Sequence, residues 1–282
     1  MGYRTQAIDT SIEAEQVQFA LWRKMTPKQK EALFQRVAKK GSVLALLGIQ
    51  NQFPHASPTK IKQQYVRKRL GQEWADFISR LEYSGELMLE DPIWLAHQLA
   101  TILNFLNIPY YVGGSVASSL QGEVRYTEDL DLAIDIQFAQ VEPLIQAMAG
   151  QFYISEVAVI EAINGRTSSF NVIHLATTEK ADLFVMRDDD FSHSQMSRRQ
   201  LHIPDNDVSK SFYVCSPEDT VLQKLLWFRM TARESQKQWR DILGVLKLQG
   251  ENLDFSYLNQ WGEKLQLTDL LTQAFQESGL AE

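Results

Sequence analysis

Two aspartates, Asp129 and Asp131, lie one residue apart in an apolar run at residues 129–134. Alternate side chains of a strand face the same way, so both carboxylates would share one face while Leu130 and Leu132 face the core. Two neighbouring carboxylates repel each other unless a cation lies between them. Such oxygen ligands suit Mg²⁺, which keeps several waters and recruits substrate phosphates. The pair therefore predicts a Mg²⁺ or Mn²⁺ site, and the alternative is a solvated strand edge.

A glycine pair ends the preceding apolar run, about 15 residues before these aspartates. Gly113 and Gly114 would let the backbone approach a phosphate closely, and Ser115 adds a hydroxyl. The small-residue segment 116–120 would follow as a helix whose N-terminus offers free N–H groups and a favourable dipole. The turn predicts a phosphate site that faces the same pocket as the aspartates, although each feature alone is weak.

The combination is more specific, because its parts stand in a defined order. That order is strand, Gly-Gly-Ser, small-residue helix, Gly122, Arg125, Thr127, Asp-Leu-Asp and strand. It resembles the nucleotidyltransferase superfamily that includes the polymerase-β-like enzymes and the minimal nucleotidyltransferases. The resemblance implies that the Gly-Ser turn holds a nucleoside triphosphate (NTP), and that the carboxylate pair holds two divalent metals.

The same resemblance implies a third carboxylate on a neighbouring strand. Asp182, in "KADLFVMR", is the candidate for this catalytic and metal-binding role, and it would accept the proton of an attacking hydroxyl. The acids at 188–190 follow that strand and are expected in a solvated loop. Arg125 and Thr127 lie on the loop before the metal strand, near the expected position of the triphosphate.

A later segment, "SPEDTVLQKLLWFRM" followed by "ESQKQWRDILGVLK", resembles uncharacterised bacterial nucleotidyltransferases related to the abortive-infection toxin enzymes. This resemblance implies that Lys224 reaches from the helix after the sheet toward the nucleotide. Asp241 would orient Lys224 or Arg240. The alternatives are a surface lysine whose charge stays in water and a helix-surface role for Asp241.

The elements that must position these residues change in type along the chain. Helical patterns fill the first part, with Thr26-Pro27, Ser57-Pro58 and Pro92 as helix starts. Short β-branched or aromatic runs follow, "YYVGG", "LDLAIDI", "FNVIHLAT", "KADLFVMR" and "SFYVCS", and helical patterns then return. We therefore predict an α+β fold: a nucleotidyltransferase-like mixed sheet flanked by helices. The expected regions are a helical domain at 1–88, the α/β core at 89–215 and a helical region at 216–282.

The N-terminal helical pattern carries no chemistry of its own. "DTSIEAEQVQFALWRKMTPKQKEALF" resembles a helical region of unknown role in cyanobacterial and other bacterial proteins. Residues 1–82 carry a charge of +7 and residues 83–282 a charge of −14, which indicates two units with different roles or units that dock through opposite charge. The basic stretch "KIKQQYVRKR" includes Lys60, Lys62, Arg67, Lys68 and Arg69. It fits either an RNA backbone or a solvated surface.

The composition is that of a globular chain: 44% of the 282 residues are hydrophobic and 22% charged. Charged and polar residues interrupt every apolar run well before 18 residues, and the N-terminus lacks the apolar core of a signal peptide, so no transmembrane helix and no membrane partner are expected. One cysteine, Cys215, cannot form an internal disulfide, and the setting is expected to be cytoplasmic.

The sequence thus predicts a metal-dependent nucleotidyltransferase. An acceptor hydroxyl would attack the α-phosphorus of an NTP and displace pyrophosphate. The acceptor is open between RNA, a protein and a small molecule. The alternatives are a nucleotide- or RNA-binding protein that keeps the fold without catalysis, and a toxin–antitoxin or defence component.

Overall fold

A computed structural model describes residues 2–80, 87–204, 207–232 and 234–280. The described N-terminal region contains helices α1 (Ile12–Arg23), α2 (Pro27–Gln52), α3 (Pro58–Leu70) and α4 (Gln72–Arg80). Thr26 and Ser57 cap α2 and α3, with a proline at the first helical position of each, so the expected starts are confirmed. Gly71, with φ 94°, separates α3 from α4. The helical pattern that starts at Ser57-Pro58 extends to residue 83 in the sequence, and its last residues, 81–83, lie outside the described residues.

The central sheet has seven strands in the order β3-β4-β5-β2-β1-β7-β6. Their bounds are β1 Tyr110–Val112, β2 Asp129–Ile134, β3 Phe152–Ile154, β4 Ser169–His174, β5 Lys180–Val185, β6 Gln200–His202 and β7 Phe212–Val214. Strand β2 runs antiparallel to β1 and parallel to β5. The sheet is therefore mixed, and the expected α+β class is confirmed.

Nine further α-helices follow α4 in the described part of the chain, one of them before the first strand. They are α5 Pro92–Phe105, α6 Gly114–Gln121, α7 Val141–Met148, α8 Glu156–Ile163, α9 Asp190–Arg198, α10 Pro217–Met230, α11 Gln236–Gln249, α12 Phe255–Lys264 and α13 Thr268–Ser278. None of the helices in the described part of the chain has the length and apolar character needed to cross a membrane.

Two large apolar clusters organise the packing. The first lies on the sheet and includes the fully buried Leu130 and Leu132 of β2, together with Phe34 and Ala38 of α2. The second joins α10 to α13. Helix α2 thus contributes to the core of the sheet. The domain boundaries after residues 88 and 215 stay a prediction.

Arg69, near the end of α3, joins the N-terminal helices to the start of two strands. Its guanidinium donates to both carboxylate oxygens of Glu179, at 2.6 and 2.7 Å, and to the carbonyl of Glu128 at 3.1 Å. The side chains of Arg69 and Glu179 are only 7% and 2% exposed. Glu128 and Glu179 directly precede Asp129 and Lys180, the first residues of β2 and β5. Arg69 is therefore a structural residue and does not belong to the basic surface expected for RNA.

We expect Arg69→Met to lower the free energy of unfolding by about 3–5 kcal/mol, because it leaves the Glu179 carboxylate buried without its cation. The double variant Arg69→Met/Glu179→Met should recover much of this loss, since both charges are then removed. Urea unfolding at pH 7.5 measures the difference. Arg67→Met, at an exposed position of the same helix, is the control and should stay within about 0.5 kcal/mol of wild type. Equal losses for Arg67→Met and Arg69→Met would contradict the assignment.

Candidate functional site

The expected carboxylates lie on two adjacent strands. Along β2, Asp129 is exposed and Asp131 half-buried, while Leu130 and Leu132 between and after them are fully buried. The parallel register pairs Asp131 with Asp182 of β5. Register partners in neighbouring strands point to the same face. The three aspartates thus share the face of the sheet opposite to the leucines.

The glycine turn packs directly against one of these carboxylates. Gly113 donates its N–H to the carbonyl of Asp131 at 2.9 Å. Gly114 has φ 58°, and a Cβ atom at this position would lie 1.8 Å from Oδ2 of Asp131. Only glycine therefore allows the turn and the carboxylate to coexist. Helix α6 starts at Gly114 with Gly113 as its N-cap, so no side chain caps its first turn. Its N–H groups are suited to an anion beside Asp131.

Asp131 is the carboxylate whose protonation is most affected by the site. Burial raises its pKa to about 6, and the negative charge of Asp182 adds to the increase, whereas the charge of Lys224 opposes it. The ionised form of Asp131 is thus disfavoured by its surroundings. A bound cation would relieve this cost, which is typical of functional sites.

Lys180, the first residue of β5, lies between two of the aspartates. Its Nζ atom is 3.1 Å from Oδ2 of Asp182 and 3.7 Å from Oδ1 of Asp129. Burial alone would lower the pKa of Lys180, but the charges of Asp129 and Asp182 outweigh burial and raise it. Sequence reasoning missed this residue. Its position two residues before Asp182, on the same face of the strand, was the available signal.

The fit of a divalent cation is partial in this arrangement. The aspartates are hard oxygen ligands of the kind that Mg²⁺ prefers. However, within the described ranges no three His, Cys, Asp or Glu side chains are grouped so that they could hold a metal ion. The ammonium of Lys180 occupies the position between Asp129 and Asp182 instead. Metal binding by Asp129, Asp131 and Asp182 therefore stays a prediction that requires Lys180 to move.

A second polar network connects the glycine turn to α10 and α11. Asp241 accepts hydrogen bonds from Nε and Nη2 of Arg125, at 2.6 and 2.7 Å, and from Nζ of Lys224 at 2.7 Å. Nη2 of Arg125 also donates to Oγ of Ser115 at 2.6 Å. Burial would raise the pKa of Asp241, but its bonds to the two cations lower it below its ordinary value. Asp241 is therefore held ionised at the centre of this network.

The network decides between the alternatives for the α10 lysine. Lys224 is only 4% exposed, so it points inward and is not a surface lysine. Asp241 accepts hydrogen bonds from Lys224, as the sequence predicted, and also from Arg125, which the sequence did not predict. Its expected alternative partner, Arg240, instead forms an ion pair with Glu123 at 2.6 Å.

Close packing between α6 and α11 brings these groups together. A Cβ atom on Gly122, at the end of α6, would lie 2.7 Å from the backbone nitrogen of Val245. Because residue 122 has no side chain, the segment that leads to Arg125 packs close to α11. Arg125 can therefore contact Asp241, which lies one helical turn before Val245. Thr127 is 7% exposed, and its hydroxyl donates to the carbonyl of Asp129 at 3.5 Å. Thr127 therefore shapes the start of β2 and offers little surface to a nucleotide.

No protein-family model matches the chain, and no curated protein matches it. The chain is similar to solved structures, two of which we report. A crystal structure of an antigenic nucleotidyltransferase-like protein from Paracoccidioides brasiliensis has 21% identity and a TM-score of 0.40, over 64% of this chain and 92% of that one. The solution structure of the antibiotic-resistance factor ANT(2'')-Ia has 11% identity and a TM-score of 0.39, over 64% of this chain and 96% of that one.

The raised pKa of Asp131 gives a testable dependence of stability on pH. Its folded pKa of about 6 lies above the ordinary value of 3.8. Its contribution to stability is therefore fully present below pH 3.8 and is lost as the pH rises through 6. In EDTA, we therefore expect the free energy of unfolding of Asp131→Asn, relative to wild type, to increase as the pH rises. The increase from about pH 4 to pH 7.5 should be on the order of 1–3 kcal/mol. Urea unfolding at both pH values measures this gain.

Asp9→Asn, at an exposed position, is the control for removal of one negative charge. A difference between Asp131→Asn and wild type that stays constant across this pH range would contradict the effect of burial on Asp131.

Proposed function

We propose that the chain is a nucleotidyltransferase, which transfers a nucleoside monophosphate from an NTP to a hydroxyl acceptor and depends on Mg²⁺ or Mn²⁺. The observation that carries this proposal is the contact of Gly114 with the Asp131 carboxylate, with Asp182 in register beside it. A phosphate-binding turn and a carboxylate pair in direct contact favour chemistry at a phosphate over binding of an uncharged ligand.

The turn and its network would bind the triphosphate. The N–H groups at the start of α6 would face phosphate oxygens beside Gly113 and Gly114. Because Oγ of Ser115 accepts from Arg125, its hydroxyl proton is left to donate to a phosphate. Lys224 and Arg125 carry two positive charges against the one negative charge of Asp241, so the network behind the turn is net positive and favours an anion.

The three aspartates of the sheet would bind the metal, and one of them would also accept the proton of the acceptor hydroxyl. Asp129, Asp131 and Asp182 are the residues that would bind a divalent cation, which stabilises negative charge on the entering and leaving oxygens. The acceptor oxygen forms a bond to the α-phosphorus while the bond to the bridging oxygen breaks and pyrophosphate leaves. Asp182 would take the acceptor's proton as general base.

The inward-facing Lys224 and its bond to Asp241 support the branch related to the abortive-infection enzymes.

RNA is the acceptor class that the basic surface of α3 favours. Arg67 and Lys68 are exposed on α3, directly before the residue that contacts the starts of β2 and β5. A phosphate backbone bound there would lie near the carboxylates.

A second function has one observation in its favour. The ammonium of Lys180 already lies between Asp129 and Asp182 and offsets part of their charge, as it would in a protein that binds a nucleotide without turnover. Such a protein would bind NTPs and release no pyrophosphate with any acceptor.

We expect Mg²⁺ and an NTP together to raise the melting temperature more than either alone, because the carboxylates and the turn each supply part of one binding site. A ligand at a hundredfold excess over its Kd adds about 2.7 kcal/mol. Calorimetry with neither, each and both components measures this. Identical melting curves in all four conditions would contradict the site.

Asp182→Asn should retain most NTP binding, because Asp182 contributes little to the triphosphate and Asp129 and Asp131 would still hold the cation, but it should lower turnover by about 10²-fold or more, the scale of a lost general base. Asp129→Asn should weaken both, because it removes a metal ligand. Pyrophosphate release with four NTPs, and with tRNA, protein or an aminoglycoside as acceptor, measures turnover. Asp188→Asn, an exposed acid after β5, is the matched control. Wild-type turnover in Asp182→Asn would remove Asp182 from catalysis.

A further inference from the structure

An aromatic pair lies on the same face of the sheet as the carboxylates. Side chains alternate along β5, so Phe184 shares its face with Lys180 and Asp182, while Ala181 and Leu183 are fully buried on the other side. Phe184 itself is half-buried. The rise of a strand places it about 7 Å beyond Asp182.

The second ring comes from α10. Trp227 is 40% exposed, although Leu225 and Phe228 beside it in the sequence are buried. Its ring centroid is 6.5 Å from that of Phe184, with the planes at 68°. This edge-to-face arrangement is a favourable aromatic geometry, and it leaves a large part of the indole open to solvent.

Trp227 is also connected to the phosphate side of the site. Lys224 precedes it by three residues, and residues three apart lie on neighbouring positions of one helix face. Lys224 is bonded to Asp241, which holds Arg125 and, through it, Ser115. The helix that carries the buried lysine of the network therefore carries the exposed indole next to the carboxylate strand.

We propose that Phe184 and Trp227 form a stacking surface for the nucleobase of the bound NTP; this inference rests on the proposed function. The phosphates would lie at the glycine turn and the carboxylates, and the ribose would span the distance from Asp182 to the two rings. Simple packing of α10 on the sheet explains the contact between the rings, but it does not require the indole to remain exposed.

Stacking has a recognisable signature because every base has an aromatic face. Binding of all four NTPs should depend on Trp227, with little discrimination between bases. Binding of inorganic tripolyphosphate should not depend on it, because this probe has the phosphates without the base and the ribose.

The experiment compares wild type with Trp227→Ala by titration calorimetry, using ATP, GTP, CTP, UTP and tripolyphosphate, each with Mg²⁺. We expect Trp227→Ala to weaken NTP binding about 5- to 150-fold, the range of one base–aromatic stack. Affinity for tripolyphosphate should change less than about twofold, since its contacts are those of the turn and the cation. Trp227→Phe should retain most of the affinity, and Phe105→Ala, a large exposed ring on α5, is the control.

Three outcomes would overturn the inference. Unchanged NTP affinity in Trp227→Ala excludes stacking, and an equal loss for tripolyphosphate indicates general distortion of the site. Absence of NTP binding to wild type would refute the proposed function together with the stacking surface. If Trp227→Ala does not fold, Trp227→Leu keeps an apolar side chain against Phe184 and removes the ring, and the same comparison applies.

Discussion

The room left by the missing side chain at residue 114 determines the geometry of the whole site. The carboxylate of Asp131 occupies the space that a Cβ atom would need, and the N–H of Gly113 donates to the Asp131 backbone. The turn and the carboxylate are thus positioned by antiparallel pairing of β1 and β2 rather than by long side chains. Backbone pairing fixes the turn beside Asp131, so a phosphate at the turn and a cation at Asp131 would meet without a rearrangement of the backbone once Lys180 has moved away from Asp129 and Asp182.

The charges around this contact are arranged unequally. The four aspartates of the two networks are Asp129, Asp131, Asp182 and Asp241, and the three cations are Arg125, Lys180 and Lys224. Every aspartate except Asp131 has an ion pair with a cation among the described residues. Asp131 is also the one whose pKa burial raises to about 6. The carboxylate that would gain most from a cation is therefore the one in contact with the glycine turn.

Residue patterns within single strands and helices predicted several of these positions. The residues that they missed, Lys180 and Arg69, have roles that depend on contacts between segments far apart in the sequence. Alternation along β2 was sufficient to separate Asp131 from Leu132, and capping residues located the starts of α2 and α3. Lys180 was missed because its role depends on the register that pairs it with Asp129. Arg69 was missed because its partner, Glu179, is 110 residues away in sequence. Strands β3 and β6, with three residues each, were not predicted.

The ion pairs that join the N-terminal helices to the rest of the chain follow the charge asymmetry between the first 82 residues and the rest only in part. Among the described residues, two of the buried ion pairs between these parts are Arg69 with Glu179, and Glu15 of α1 with Lys247 of α11. The second pair runs against the asymmetry, because its acid lies in the basic part and its base in the acidic part. Docking therefore depends on specific buried partners and on Phe34 in the sheet core. Arg67 and Lys68, by contrast, keep their charges at exposed positions of α3.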